Sequence, residues 1–466
     1  MKGYQLMNLK GLFEIDASLL SNVNLCWRGL ILSVILFFIP LQSAQAGLVL
    51  NFAKEVSVTN NNEKDSSPKV TVSTIQVEIG KQYFRYTEEG TDSIYNFKTR
   101  RILTIDKEKK TYQNDSLFIN LGFRGYEFQN RQHLAKVLAA ASADENLMST
   151  TLNEHNLSIK AKGHDPKIKK KTDKKTVIYS WNDKELLEYS KKLRIVNKTY
   201  QDGFTQFLRY KISGHPNILK DIKTLAGVPE KLTMTSHNVQ KIAVTLSLLS
   251  DKYIPDMLPI LEGYSKSEDV GELSTLLSQG INYTSEALNR TSTLLLEKAN
   301  KAYKEKRQLD AMLAYLEYTL VTGEQQMPNQ FFSQREPISN DADVKALLSS
   351  LSPKTKDDAQ KSVEMLVSLR EKSIDRKHVL QIFEANNRLA LGKSQESKKL
   401  FHTVLGVNPH ITGAWKDLGD IYFRSYNSQA AWRCWDIARA LNASHHLLAP
   451  INQLEERLTK INPEFF

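Results

Sequence analysis

Residues able to do chemistry are few in this chain, and their spacing is poor. His445 and His446 are adjacent, and neighbouring positions on a helix point in different directions. No third ligand is apparent near them. His164 stands in Gly163-His164-Asp165 beside a basic stretch and has no partner at metal-ligand spacing. Asp106 and Glu108 flank a turn and are read as solvent-facing. The chain contains no H-E-x-x-H, no G-x-S-x-G and no phosphate-cradling glycine loop. The sequence therefore predicts no catalytic residue, no cofactor and no metal, and a protein that is not an enzyme; an enzyme without a recognisable motif is the alternative. Asn114, Asn156, Asn197, Asn282, Asn289 and Asn442 each begin an N-x-S/T triplet, which matters only in a host that glycosylates.

What the chain does carry is a pattern suited to packing and binding. In residues 412–445, Trp415, Leu418 and Tyr422 fall at i, i+3 and i+7, one face of a helix. Gly419, Ala431 and Ala438 are small residues further along, and Trp435 is a large aromatic among them. This spacing resembles a tetratricopeptide repeat, a helix–turn–helix unit of about 34 residues. The departure is Ala443, where a proline is usual. The resemblance implies a surface for a protein or peptide partner and implies no reaction. A lone repeat does not bury both its faces, so neighbours are required. Residues 378–411 supply one, with Ala385, Phe401 and Pro409 in place but Gln381, Glu384 and Arg388 at the large positions. Residues 292–325 supply another, with Leu295, Ala299, Ala311, Tyr315 and Tyr318. Residues 450–461 read as a capping helix, with Ile451, Leu454 and Leu458 inward and Glu455, Glu456, Arg457 and Lys460 outward. Residues 264–284 and 328–353 read as connections, the second holding one short helix at 341–351.

The elements before these repeats have another character. Residues 70–79 and 82–87 are rich in β-branched and aromatic side chains, and residues 93–106 form a further strand candidate. A polar turn at 106–109 leads to a return strand from Lys110. Residues 176–181 and 184–189 flank Asn182-Asp183, a two-residue hairpin turn. Residues 231–235 and 241–248 are later strands. Helices are expected at 130–141, at 196–212 and at 216–225, the last bounded by Pro216, Gly227 and Pro229. The order predicts an antiparallel sheet with helices packed on one face. Residues 95–112, with Gly227-Val228-Pro229 before a strand, resemble the bacterial periplasmic half-barrel domains similar to outer-membrane lipoprotein carriers. That resemblance implies a concave face able to take a lipid or other apolar ligand; the alternative is a core closed by its own helices. The basic insertion at 160–175 departs from a compact half-barrel.

The 466 residues suffice for two or three domains, and 41% hydrophobic with 25% charged residues is ordinary for a globular protein. The net charge of +11 is partly local, since residues 160–175 hold eight lysines against two aspartates. Residues 167–175 read as a solvated loop, and no aromatic residues interleave with them, so nucleic acid is not the expected partner. At the amino terminus Arg28 precedes an apolar run at 30–41 (LILSVILFFIPL), followed by small and polar residues including Ala44 and Ala46. This resembles a secretory signal peptide with an A-x-A cleavage site. The run is shorter than the about 20 residues of a membrane span. Cleavage after Ala46 removes Cys26 and leaves Cys434 as the one thiol, read as a small core residue. Retention of the run makes the protein membrane-anchored.

The expectation is an α+β chain in three parts: a signal peptide at 1–46, a β-rich half-barrel-like domain at 47–250 and an all-α helical repeat domain at 251–466. It is expected to be an exported, periplasmic or secreted binding protein of the cell envelope that docks a protein or peptide partner. The alternative is a periplasmic carrier of a lipid or other apolar ligand.

Overall fold

The computed structural model describes residues 46–60, 67–141, 150–160, 167–238, 240–282 and 284–466. The expected signal lies outside them except for Ala46. So do Gly163, His164 and Asp165.

Alternating side chains and tight turns build one large sheet. Its strands are β1 (Ala46–Asn60), β2 (Lys69–Ile79), β3 (Tyr83–Glu88), β4 (Thr91–Asn96), β5 (Arg101–Asp106), β6 (Thr111–Ser116), β7 (Lys169–Thr172), β8 (Thr176–Trp181) and β9 (Lys184–Ser190). The short β10 (Leu193–Ile195) and β11 (Gly227–Pro229) pair with each other, and β12 (Lys231–His237), β13 (Gln240–Pro255) and β14 (Ser265–Lys266) rejoin the sheet. The spatial order is β14-β6-β5-β4-β3-β2-β1-β13-β12-β9-β8-β7. The recorded ladders are antiparallel apart from β14 beside β6. The β8–β9 hairpin turns on Asn182 and Asp183, both at positive φ (44° and 61°), as a two-residue loop requires.

Four helices accompany the sheet: α1 (Phe118–Ala140), α2 (Thr150–Leu157), α3 (Lys198–Phe207) and α4 (Pro216–Lys223). Pro216 opens α4 with its ring-fixed φ, and the His215 side chain accepts the Asn217 N–H as its cap. Leu48, Leu50 and Phe52 of β1 share one buried cluster with Ile75, Val77 and Ile79 of β2 and Phe84 and Tyr86 of β3. Helix α3 lies across that face. Phe204 stacks on Phe52 at 6.1 Å, and Phe207 stacks on Tyr86 at 5.8 Å. A π-turn at Leu208–Ile212 continues α3, and the Tyr210 hydroxyl donates to the Phe465 carbonyl at 2.7 Å. Phe465, from the far end of the chain, is itself buried in this core. Each such aromatic contributes about 1.5–3 kcal/mol by burial.

The rest is helical: α5 (Ser274–Leu277), α6 (Ser285–Lys304), α7 (Gln308–Thr322), α8 (Asn329–Asn340), α9 (Ala342–Ser350), α10 (Lys356–Lys372), α11 (Lys377–Ala390), α12 (Ser394–Val407), α13 (Thr412–Arg424), α14 (Ser428–Leu441) and α15 (Ala449–Ile461). Helices α6–α7, α11–α12 and α13–α14 form hairpins within residues 285–322, 377–407 and 412–441. Helix α7 is apolar almost all round and is buried accordingly, packed by α6, α8, α9, α11 and α13. Thus the α+β class expected from the sequence, a sheet followed by an all-helical region, is what the chain adopts.

Sheet and helices form one compact unit, Gly47–Phe466. Arg101 on β5 pairs with Asp436 on α14 at 2.7 Å, and Gln429 donates to Asp115 at 2.9 Å. At Gly122 on α1, a β-carbon would lie 2.2 Å from the Trp432 ring, so only glycine lets α1 seat on α14. Among the described residues no helix is long and apolar enough to cross a membrane.

Several expectations need correction. Residues 93–106 are two strands, β4 and β5, because the Asn96 side chain accepts the Thr99 N–H at 3.0 Å and turns the chain. The lysine run read as a solvated loop contains β7, whose four residues are all exposed and pair with β8. Lysines on an edge strand discourage pairing with other chains. The connection at 328–353 is mostly helical. Its expected short helix is α9, capped by Asp341, but α8 precedes it and tolerates Pro337 within its last turn. The connection at 264–284 holds β14 and α5, with Leu273, Leu276 and Leu277 buried. Strand β1 and helix α2 have no counterpart in the sequence reading.

Candidate ligand groove in the helical region

The residues singled out by spacing come together as the α13–α14 core. Trp415, Leu418 and Tyr422 are buried on α13, and Ala431, Trp435 and Ala438 on α14. Gly419 is needed where the helices meet, since a β-carbon there would lie 2.4 Å from the Trp435 indole nitrogen. The Trp435 N–H donates to the Lys416 carbonyl at 3.2 Å, and the Trp415 N–H to the Pro409 carbonyl at 2.9 Å. These residues build a framework and present nothing to solvent. Trp432, which the spacing did not single out, is also buried, edge-on to Trp435 at 4.8 Å, with its N–H on Glu455 at 2.9 Å. Cys434 is fully buried, and burial pushes its thiol well up, so it is held unreactive.

The framework supports one wall of a groove of about 550 Å³. Helix α6 contributes Leu294, Lys298 and Lys301, and α7 contributes Asp310 and Glu317. Asp375, Arg376 and His378 come from the entry to α11, and Val407 to His410 from the end of α12 and the turn beyond. Trp415 holds that last turn through Pro409.

The floor is an ionic network. Glu317 is 1% exposed and accepts from Asn408 at 2.6 Å, Arg376 at 2.7 Å and His378 at 2.9 Å. Burial alone would raise its carboxyl, but the His378 hydrogen bond and the other donors outweigh that and hold it below the usual range. Asp310 accepts from the Ser373 hydroxyl at 2.7 Å and from Arg307 at 3.1 Å, while Arg307 also reaches Asp375 at 2.7 Å. These acids are engaged on several sides, so they fix the groove's shape. The lips differ: Leu294 and Val407 are exposed apolar side chains, and Lys298 and Lys301 are exposed ammonium groups, with Lys301 only 4.0 Å from Glu305.

Spacing did not single out Glu317 or His378. Glu317 interrupts the apolar run of α7 (LAYLEYTL), and a carboxylate in a fully buried helix needs partners. That was its only local signal.

A second buried polar cluster, also unforeseen, lies under the sheet. Glu154 and His215 are both fully buried and 2.7 Å apart. The His215 backbone N–H donates to His155 Nδ1 at 3.0 Å, and His155 Nε2 donates to the Thr235 carbonyl at 2.7 Å. His215 Nδ1 accepts the Asn217 N–H at 3.2 Å. Both nitrogens of each ring are occupied, which suits them to tying α2, α4 and β12 together. Burial, with His215 nearby, pushes His155 down to about 3.

Among the described residues, no group of three or more His, Cys, Asp or Glu is placed to hold a metal ion. The His445 and His446 rings stack at 5.0 Å, and His446 Nδ1 donates to the Gly323 carbonyl. Asp106 accepts the backbone N–H groups of Glu108 and Lys109 and so caps its turn.

No family model matches the chain, and no curated protein is similar to it. The fold itself defines the class: an antiparallel sheet covered by its own helices and continued by stacked helical hairpins.

Proposed function

We propose that the protein is an exported, non-enzymatic binding protein of the cell envelope, whose helical region docks a protein or peptide partner. The single observation that carries this is the groove between α6, α7 and the turns flanking α11 and α12. It has apolar lips, a lysine rim and a floor held rigid by Glu317. The tetratricopeptide-like spacing of residues 412–445 and the A-x-A pattern ending at Ala46 support it from the sequence. The partner segment is extended and carries an anionic group opposite Lys298 and Lys301. The carrier alternative has less support, because Phe204, Phe207 and Phe465 occupy the sheet face that a lipid would need.

Envelope extracts of cells expressing tagged wild type and a Lys298→Glu/Lys301→Glu variant test the proposal. A partner recovered with wild type and lost with the variant, at unchanged thermal midpoint, is the expected result. Equal recovery with both, or no partner with wild type, would overturn it.

A further inference from the structure

Helix α15 is lightly seated. Ile451 is its one buried residue, with Leu454 and Leu458 half-buried. The turn beyond it, Pro463–Phe465, is held more closely, by side chains of α3 and of the π-turn that continues it. The Tyr210 hydroxyl donates to the Phe465 carbonyl at 2.7 Å. The Arg209 and Gln206 side chains both donate to the Glu464 carbonyl, at 2.6 Å and 2.8 Å. The Phe465 ring is fully buried, edge-on to Tyr210 at 5.6 Å, with the Arg209 guanidinium 5.3 Å from its centre. Phe466 has a similar setting. It packs on Phe118 at 5.1 Å, with the Arg100 guanidinium 5.6 Å from its ring. Main-chain carbonyls gripped by side chains, and aromatic rings set beside guanidinium groups, are the contacts by which a peptide is recognised.

Three observations set this cup apart from ordinary core. Its aromatic wall stands without residues 463–466, since Tyr210 packs on Tyr95 at 4.9 Å, Phe97 at 6.0 Å and Phe84 at 6.3 Å. Two of its three donors, Arg209 and Tyr210, come from a π-turn, a rare geometry frequent at functional sites. The third observation is the charge of Arg209, which is only 4% exposed. Its Nη1 meets two neutral oxygens, of the Gln206 side chain and the Glu464 main chain, and its Nε has no partner. Burial pulls the guanidinium below its usual range, and the Glu464 carboxylate opposes this. Residues 463–466 thus bring both the rings and the negative charge that the cup needs, and a buried cation deprived of its anion is costly.

We propose that this cup is a peptide-recognition site whose resting occupant is the protein's own residues 463–466, and that it binds in trans a segment of the same chemistry, an acidic residue followed by two aromatic ones. The tail is then a competitive plug, and a partner segment gains the site only by displacing it. The cup shares no lining residue with the groove of the helical region and does not rest on the groove's ligand.

The test uses the full chain, the same chain lacking residues 463–466, and a fluorescein-labelled peptide with the sequence of residues 461–466 (INPEFF). Fluorescence anisotropy should show the shortened chain binding the peptide, and the full chain binding it at least tenfold more weakly because its own tail holds the site. Tyr210→Phe removes one hydroxyl and keeps the ring. In the shortened chain it should weaken binding about fivefold to tenfold, the effect of one hydrogen bond lost. A peptide with alanine for the first phenylalanine (INPEAF) should not bind. Should the shortened chain fail to fold, Phe465→Ala in the full chain replaces it: saturating INPEFF should raise the thermal midpoint of that variant and leave wild type unmoved. A folded shortened chain that ignores the peptide overturns the proposal. So does a full chain that binds as tightly as the shortened one, equal binding of INPEFF and INPEAF, or a Phe465→Ala midpoint indifferent to the peptide.

Discussion

Trp415→Ala probes the link between the hairpin core and the groove. The side chain is fully buried and its N–H holds the Pro409 carbonyl at 2.9 Å. Truncation removes a large aromatic from a packed interior and costs about 3–5 kcal/mol. The freed Pro409 carbonyl adds to this unless water reaches it. Trp415→Phe keeps most of the bulk and loses only the donor, so it should cost about 1–3 kcal/mol. For a unit of this size about 2 °C is lost per kcal/mol, so the alanine variant should unfold about 6–10 °C earlier. Because Pro409 lines the groove, both variants should also weaken partner binding, the phenylalanine variant with the smaller stability loss. Thermal unfolding followed by circular dichroism on residues 47–466 measures the first effect. A midpoint within about 1 °C of wild type would refute the reasoning, because no fully buried tryptophan is removed so cheaply.

Other outcomes follow from the buried polar groups and the amino terminus. Glu317→Ala strips Arg376 and His378 of their shared acceptor, and leaving Arg376 buried without it should cost about 3–5 kcal/mol in denaturant titration. A loss below about 1 kcal/mol would mean that the network is solvated. His155, held down to about 3, refuses in the folded state a proton that the unfolded chain accepts near pH 6.5. Its contribution is therefore complete above about pH 6.5 and lost as the pH falls towards 3, amounting to about 2 kcal/mol by pH 5. Denaturant curves at pH 7 and 5 measure this, and His155→Gln should flatten the difference. Amino-terminal sequencing of the exported protein should begin at Gly47; a chain retaining residues 1–46 would be membrane-anchored.

How much of this was legible depends on how local each cause is. The Asn182-Asp183 hairpin and the Pro216 helix start are dictated by turn and cap chemistry within a few residues. The α13–α14 hairpin follows from large and small side chains at a fixed period, which the eye can count. The turn at 97–100 was missed although it is local, because its signal is a single Asn96 hydrogen bond amid strand-like neighbours. Helix α8 was missed because residues 328–353 carry Pro at both ends and Ser, Asn and Asp in the middle, a composition that reads as a connection.

The amino-acid order by itself therefore determined the class, the hairpins and the small-residue contact at Gly419, because periodicity and turn chemistry act between near neighbours. Tertiary structure alone decided the rest. Glu317 meets Arg376, His378 and Asn408 across 59, 61 and 91 residues of sequence, and Glu154 meets His215 across 61. It also decided that Phe465 fills the sheet core and that Ile254 and Asp256 lie beside Gly47. No local rule names such partners. They are set when elements already formed bury the faces left over, and a buried charge then survives only where another element supplies its donors.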